Sequence, residues 1–201
     1  MVLSSLVEIR SGFPFRSGIV GTPEGTTPVI QIKDLEKRRG VKTTGLTYVN
    51  FDRDVAPFVV RAGDILLQAR GERADATPVR EIPNNAIAAS QLFILTPRLE
   101  VLPEYLAWFL NSPRTQERIK KGQRGSYIPL LPKEALEGID VPVPPLEVQR
   151  QIVGLVALRA KEEALLARQQ DLQGQLINLV CVRAAIGRVQ VNHESEGGHN
   201  G

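Results

Sequence analysis

The pattern of apolar and polar positions divides the chain at a run of prolines. Before that run, apolar residues fall in short blocks: V-I-Q-I at 29–32, residues 46–51, I-L-L-Q at 65–68 and a longer stretch at 86–95. Turn signals follow them, among them Gly40, Gly71 and Pro97. Short blocks rich in β-branched and aromatic residues, bounded by such punctuation, predict strands. From residue 103 the spacing becomes helical. Leu106, Phe109 and Leu110 share one face behind Pro103, and Trp108 is assigned with Phe109 to the core. Ser112 is an N-cap candidate with Pro113 at the first helical position, and Gly122 is a stop after Lys120 and Lys121.

Residues 139–153 read I-D-V-P-V-P-P-L-E-V-Q-R-Q-I-V. Pro142, Pro144 and Pro145 fix φ near −65° and donate no backbone hydrogen bond. Each also pushes its predecessor to extended geometry. This predicts a stiff elbow leading straight into a helix. From residue 147 to about 185 there is no proline, and Leu158, Leu165, Leu172 and Leu179 recur every seven residues. Taking these as d places Leu155, Glu162, Gln169 and Leu176 at a. The heptad is imperfect and suits packing against a partner helix better than a long coiled coil of its own. About 35 helical residues reach roughly 50 Å, which favours a projecting helix over one folded onto its own domain. The expected class is α+β: a mixed domain at residues 1–141, elbow and helix at 142–186, and a disordered polar tail at 187–201.

Charge sharpens the division. Of 25 Lys and Arg, 19 lie in residues 1–146 against 16 of 22 acidic residues, so the net +3 belongs to the first part. One basic group is Arg114, Arg118, Lys120, Lys121 and Arg124, and another is Lys33, Lys37, Arg38, Arg39 and Lys42. Glu8 and Arg10 interrupt any secretory leader, and no window offers the roughly 20 apolar residues of a membrane span. The single Cys181, in the apolar run L-V-C-V, is expected to be packed in a reducing compartment, so the expected location is cytoplasmic.

No catalytic signature is present. The chain lacks a G-x-x-x-x-G-K-[ST] loop, a G-x-G-x-x-G fingerprint and an Asn/Asp-Pro-Pro-aromatic string. Its two histidines, His193 and His199, lie in the polar tail, which excludes a core zinc site or a histidine triad. Asp34/Glu36 and Asp52/Asp54 read as surface or capping carboxylates. No catalytic residue, metal or cofactor is expected.

Seven strings then occur in order: S-G-F-P-F, V-I-Q-I-K-D-L, G-D-I-L-L-Q-A-R-G, S-Q-L-F-I-L-T-P, L-P-E-Y-L-A-W-F-L-N-S-P, G-S-Y-I-P-L-L and V-P-V-P-P-L-E-V-Q-R-Q-I-V. Together, over about residues 1–182, the set resembles the target recognition domain and following helix of type I restriction–modification specificity subunits. Val148 stands where that family often has a second acidic residue. Family members typically carry two such domains and two helices; this chain resembles one half. The resemblance implies a non-catalytic reader of double-stranded DNA. It also implies methyltransferase and restriction motor subunits as partners, and pairing with a second copy or another half-subunit. A helical scaffold that binds no DNA and a truncated remnant of a two-domain subunit are the alternatives.

Three loops are the candidates for DNA contact. Arg124, Ser126 and Tyr127 form a glycine-flanked turn behind Lys120 and Lys121. Lys33, Arg38, Arg39 and Lys42 form a second loop, and Arg70 and Arg73 flank Gly71 in a third. Lysine and arginine grip phosphates, and arginine also reads guanine bidentately. Leu155, Leu158, Leu165, Leu172, Leu176 and Leu179 are the candidate dimerisation residues.

Overall fold

The computed structural model describes residues 1–36, 40–98, 100–125 and 127–193. Two compact units divide between Leu155 and Val156.

The first unit begins with α1 (Leu3–Leu6) and β1 (Val7–Ser11). Next come β2 (Thr27–Ile30), a 3-10 turn (Ile32–Asp34), β3 (Leu35–Glu36), β4 (Gly40–Val41) and β5 (Thr47–Val49). A second 3-10 turn (Ala56–Phe58) precedes β6 (Ile65–Gln68), β7 (Ala76–Pro78), β8 (Ile87–Ala88) and β9 (Leu92–Pro97). Three helices close the unit: α2 (Pro103–Leu110), α3 (Pro113–Gly122) and α4 (Lys133–Glu137). The last helix, α5 (Leu146–His193), starts in this unit and runs on through the second.

The main sheet is antiparallel, in the order β1-β9-β6-β7. A smaller sheet, β5-β2-β8, pairs β2 with β8 in parallel, and β3 and β4 make a two-stranded hairpin. Period-two alternation explains why β6 and β9 read as unbroken apolar runs. Ile65, Leu67, Phe93 and Leu95 face a core shared with α1 to α4, whereas Leu66, Leu92 and Ile94 face a second core containing Ile30 and Val60. A strand covered on both faces needs apolar residues at every position.

The stretch expected as one strand at 86–95 is two strands. Ala89 to Gln91 break it, because the chain from Ser11 to Phe13 docks there: Gly12 N–H donates to Leu92 O at 2.9 Å and Phe13 N–H to Ala88 O at 2.7 Å. A Cβ on Gly12 would lie 2.2 Å from Ala89 O, so only glycine permits this approach.

The expected limits of α3 are observed. Pro113 is its first residue, Gly122 its last, and Ser112 caps it by accepting from Thr115 N–H at 3.4 Å. Asp34 and Asp54 act as caps, accepting from Gln31 N–H and Ala56 N–H, both at 2.9 Å. Trp108 is a correction: it is 38% exposed and lies against the Tyr105 ring. Tyr105, Leu106 and Leu110 supply the buried face of α2 instead. A second correction is Cys181, which is exposed on α5 rather than packed. The helix also runs past its expected end near 186 to His193, since Val189 and Val191 follow without a proline. Of the expected tail, residues 194–201 lie outside the described residues.

The proline elbow is held from both sides. Tyr105 Oη donates to Pro142 O at 2.8 Å, and burial pushes its phenol above the usual range, keeping it a donor. Gln149, fully buried in the first turns of α5, accepts from Leu102 N–H at 2.9 Å. It donates to Glu100 O at 3.0 Å and Pro144 O at 2.8 Å. Ile152 and Val153 complete the seat by packing on the main core.

Candidate nucleic-acid interface

The end of β6 is the foundation of the candidate interface. As the chain leaves Gln68, it meets residues 129–131: Leu131 N–H donates to Ala69 O at 2.8 Å and Gly71 N–H to Pro129 O at 2.9 Å. On its other side, residues 129–131 meet residues 123–125. Arg124 N–H donates to Leu130 O and Leu130 N–H to Arg124 O, each at 2.8 Å. Gln123 closes the assembly, its Nε2 donating to Gly71 O at 2.9 Å. Leu130 is therefore the middle of a three-segment ladder with Arg70 on one side and Arg124 on the other. Residues directly opposite in such a ladder project from the same face, with Cβ atoms about 5 Å apart. Two arginines thus flank an exposed leucine on one rigid surface.

The neighbouring elements brace this ladder. Gln116 Nε2 donates to Ala74 O at 3.0 Å and to Leu110 O at 2.8 Å, tying α3 to the loop that carries Arg70 and Arg73. Asn111 pairs with the backbone of Ala76 in both directions. Lys120 and Lys121 occupy the last turn of α3, where positive charge also suits the helix C-terminus. Among the described residues, no carboxylate lies within ion-pair distance of Arg70, Lys120, Lys121 or Arg124. Arg73 differs: its Nη2 sits 3.0 Å from Asp75 Oδ1, which neutralises much of its charge.

Of the three predicted loops, the structure joins two. Arg70, Arg124 and Tyr127 lie on or beside the ladder, and all are exposed. Lys33 and Lys42 are exposed but anchored separately. Lys33 Nζ donates to Thr47 Oγ1 at 3.4 Å, and Lys42 N–H to Asp34 O at 2.8 Å at the base of the β3–β4 hairpin. Arg38, Arg39 and Ser126 lie outside the described residues. The sequence reading also passed over Ile128 and Leu130, which are 57% and 42% exposed beside Tyr127. Their signal was the apolar Y-I-P-L string following the basic turn.

A second aromatic feature lies at the start of the unit. Phe13, Phe15, Phe51 and Phe58 pack edge to face or tilted, and the Arg53 guanidinium stands 4.5 Å over the Phe13 ring. Phe13, Phe15 and Phe51 border a cavity of about 350 Å³ rimmed by Arg16 and Arg53. The motif S-G-F-P-F was visible in the sequence; its closure by Phe51 and Arg53 was not. Among the described residues, no three metal-binding side chains of the His, Cys, Asp or Glu type come together. No described helix is long and apolar enough to cross a membrane.

On α5, Leu155, Leu158, Leu165, Leu172, Leu176 and Leu179 are all exposed. Ion pairs Arg159–Glu162, Arg159–Glu163 and Arg168–Asp171 lie along the same helix. Each joins groups three or four residues apart, and solvent screens such pairs, so they add little to the helix.

The model of the type I restriction modification DNA specificity domain matches residues 1–157. The chain belongs to that family. Solved structures share the fold of this specificity domain. It is similar to the HsdS subunit from Thermoanaerobacter tengcongensis at 22% identity and a TM-score of 0.62, covering 85% of this chain and 39% of that one. The type I restriction-modification S subunit from M. genitalium is 16% identical with a TM-score of 0.52, over 80% and 38% of the two chains. A chain from a study of complex assembly and conformational transition of the type I R-M system is 21% identical with a TM-score of 0.59, over 84% and 40%. The specificity domain and its helix thus span about two fifths of the solved chains that they match. Among curated proteins, none matches this chain.

Proposed function

We propose that this specificity domain is a non-catalytic reader of double-stranded DNA. One observation carries the reading: Arg70 and Arg124, without carboxylate partners among the described residues, are set on one ladder, with Lys120 and Lys121 shortly before Arg124, in a chain of the specificity family. Phosphate contacts from Arg70, Lys120, Lys121 and Arg124 supply affinity and register. The Lys33–Lys42 hairpin supplies further contacts. The chemistry belongs to partners: methyltransferase subunits, which bind S-adenosylmethionine, and a restriction motor subunit, all in the cytoplasm. This chain holds no cofactor.

The helix α5 pairs with a second helix, supplied by another copy or another half-subunit. The exposed leucines of α5 suit an antiparallel helix pair, whose length then spaces two reading domains.

Salt dependence tests the reading. Fluorescence anisotropy of a labelled duplex is measured across rising salt. Each phosphate contact contributes about 0.9 to the slope of log affinity against log salt. Arg124→Ala is expected to lower that slope by about one such contact and to weaken binding at low salt. An unchanged slope and affinity remove the ladder from the interface.

A further inference from the structure

Beyond the ladder, the loop between Arg124 and Leu130 begins with Gly125 at φ +94°, a left-handed conformation that favours glycine. At its apex Tyr127 is 93% exposed and Ile128 57% exposed. The loop is not loosely tethered. Its two feet are joined by the paired Arg124–Leu130 hydrogen bonds, and one foot is fastened again to residues 69 and 71. A large aromatic and a β-branched aliphatic side chain are therefore presented to solvent between two hydrogen-bonded feet. Exposed Arg70 and Arg124, which have no carboxylate within ion-pair distance among the described residues, stand at its base.

This arrangement separates two chemistries in space. Charge sits at the foot, where it meets phosphates. Apolar surface sits between the feet, on Tyr127 and Ile128. Apolar side chains contact thymine methyl groups on base edges, and neither Tyr127 nor Ile128 brings a charge that must be stripped of water.

We infer that Tyr127 and Ile128 are the specificity-determining tip of the interface, entering a groove of duplex DNA and contacting base edges. Arg70, Lys120, Lys121 and Arg124 set affinity alone. The inference rests on the DNA reading proposed above. The opposite division, with the tip docking on a partner protein, is one outcome of the test.

The test is selection from a random-sequence duplex pool with the full chain, comparing wild type, Tyr127→Ala, the double variant Tyr127→Ala/Ile128→Ala, and Lys120→Ala/Lys121→Ala. Both apex side chains are exposed, so the variants are expected to keep the wild-type melting curve. The wild type is expected to enrich a sequence. The apex variants are expected to retain bulk duplex with the wild-type salt slope, while enrichment of that sequence falls about tenfold or shifts to another, the scale of one lost base contact. The foot variant is expected to retain less duplex yet enrich the same sequence. Apex variants that enrich the wild-type sequence undiminished overturn the inference and assign the tip to a partner protein. A wild-type chain that retains no duplex at low salt overturns the DNA reading itself, and this inference with it.

Discussion

Gln149 seats the start of α5 on the first unit. It satisfies Leu102 N–H, Glu100 O and Pro144 O from within the first turns of α5, and it is fully buried. A buried polar group stripped of its partner costs about 1–3 kcal/mol, whereas the bond it replaces is worth about 1 kcal/mol net. Alanine at this position strands three backbone groups at once. Gln149→Ala is therefore expected to lower stability by about 2–4 kcal/mol in a urea titration, whereas Gln151→Ala, two residues on and exposed, changes it by less than about 0.5 kcal/mol. The same string P-P-L-E-V-Q drew attention in the sequence for its prolines. The glutamine is what fastens them to the domain, and nothing local in the string reveals that its partners lie near residue 100.

At the scale of elements, α5 presents Leu165 and Leu172 to solvent one heptad apart. Replacing both with lysine is expected to turn a dimer into a monomer by light scattering while leaving the helical content in circular dichroism unchanged; a monomeric wild type removes the paired-helix proposal unless another chain supplies the second helix. Elements whose determinants are local were legible before the structure. The Ser112-Pro113 start and Gly122 stop of α3 follow from capping chemistry, and the prolines and heptad leucines announced α5. Elements set by distant contacts were not. The break between β8 and β9 depends on Gly12 arriving from nearly 80 residues away. The candidate interface follows the same rule. Its basic loops were visible singly, but the ladder joining Arg70 to Arg124 spans more than fifty residues and has no local signature.

At the scale of the whole molecule, the proposed pairing of two copies would give each the same half-site. Selection from a random duplex pool is expected to enrich an interrupted palindrome, with an unread spacer between its halves; a single undivided site without internal symmetry argues against pairing of two copies. One more feature bears on this scale. Leu3 N–H donates to Ile139 O at 2.8 Å, Val141 N–H to Met1 O at 2.7 Å, and the Met1 ammonium to Val141 O at 3.0 Å. The first residues of the domain and the last before the elbow are neighbours in a backbone pairing. The two ends of the domain therefore lie side by side. A body whose two ends meet at one place can vary its exposed loops without moving the point from which the elbow leaves, so the fold is suited to changing its surface while keeping its mount.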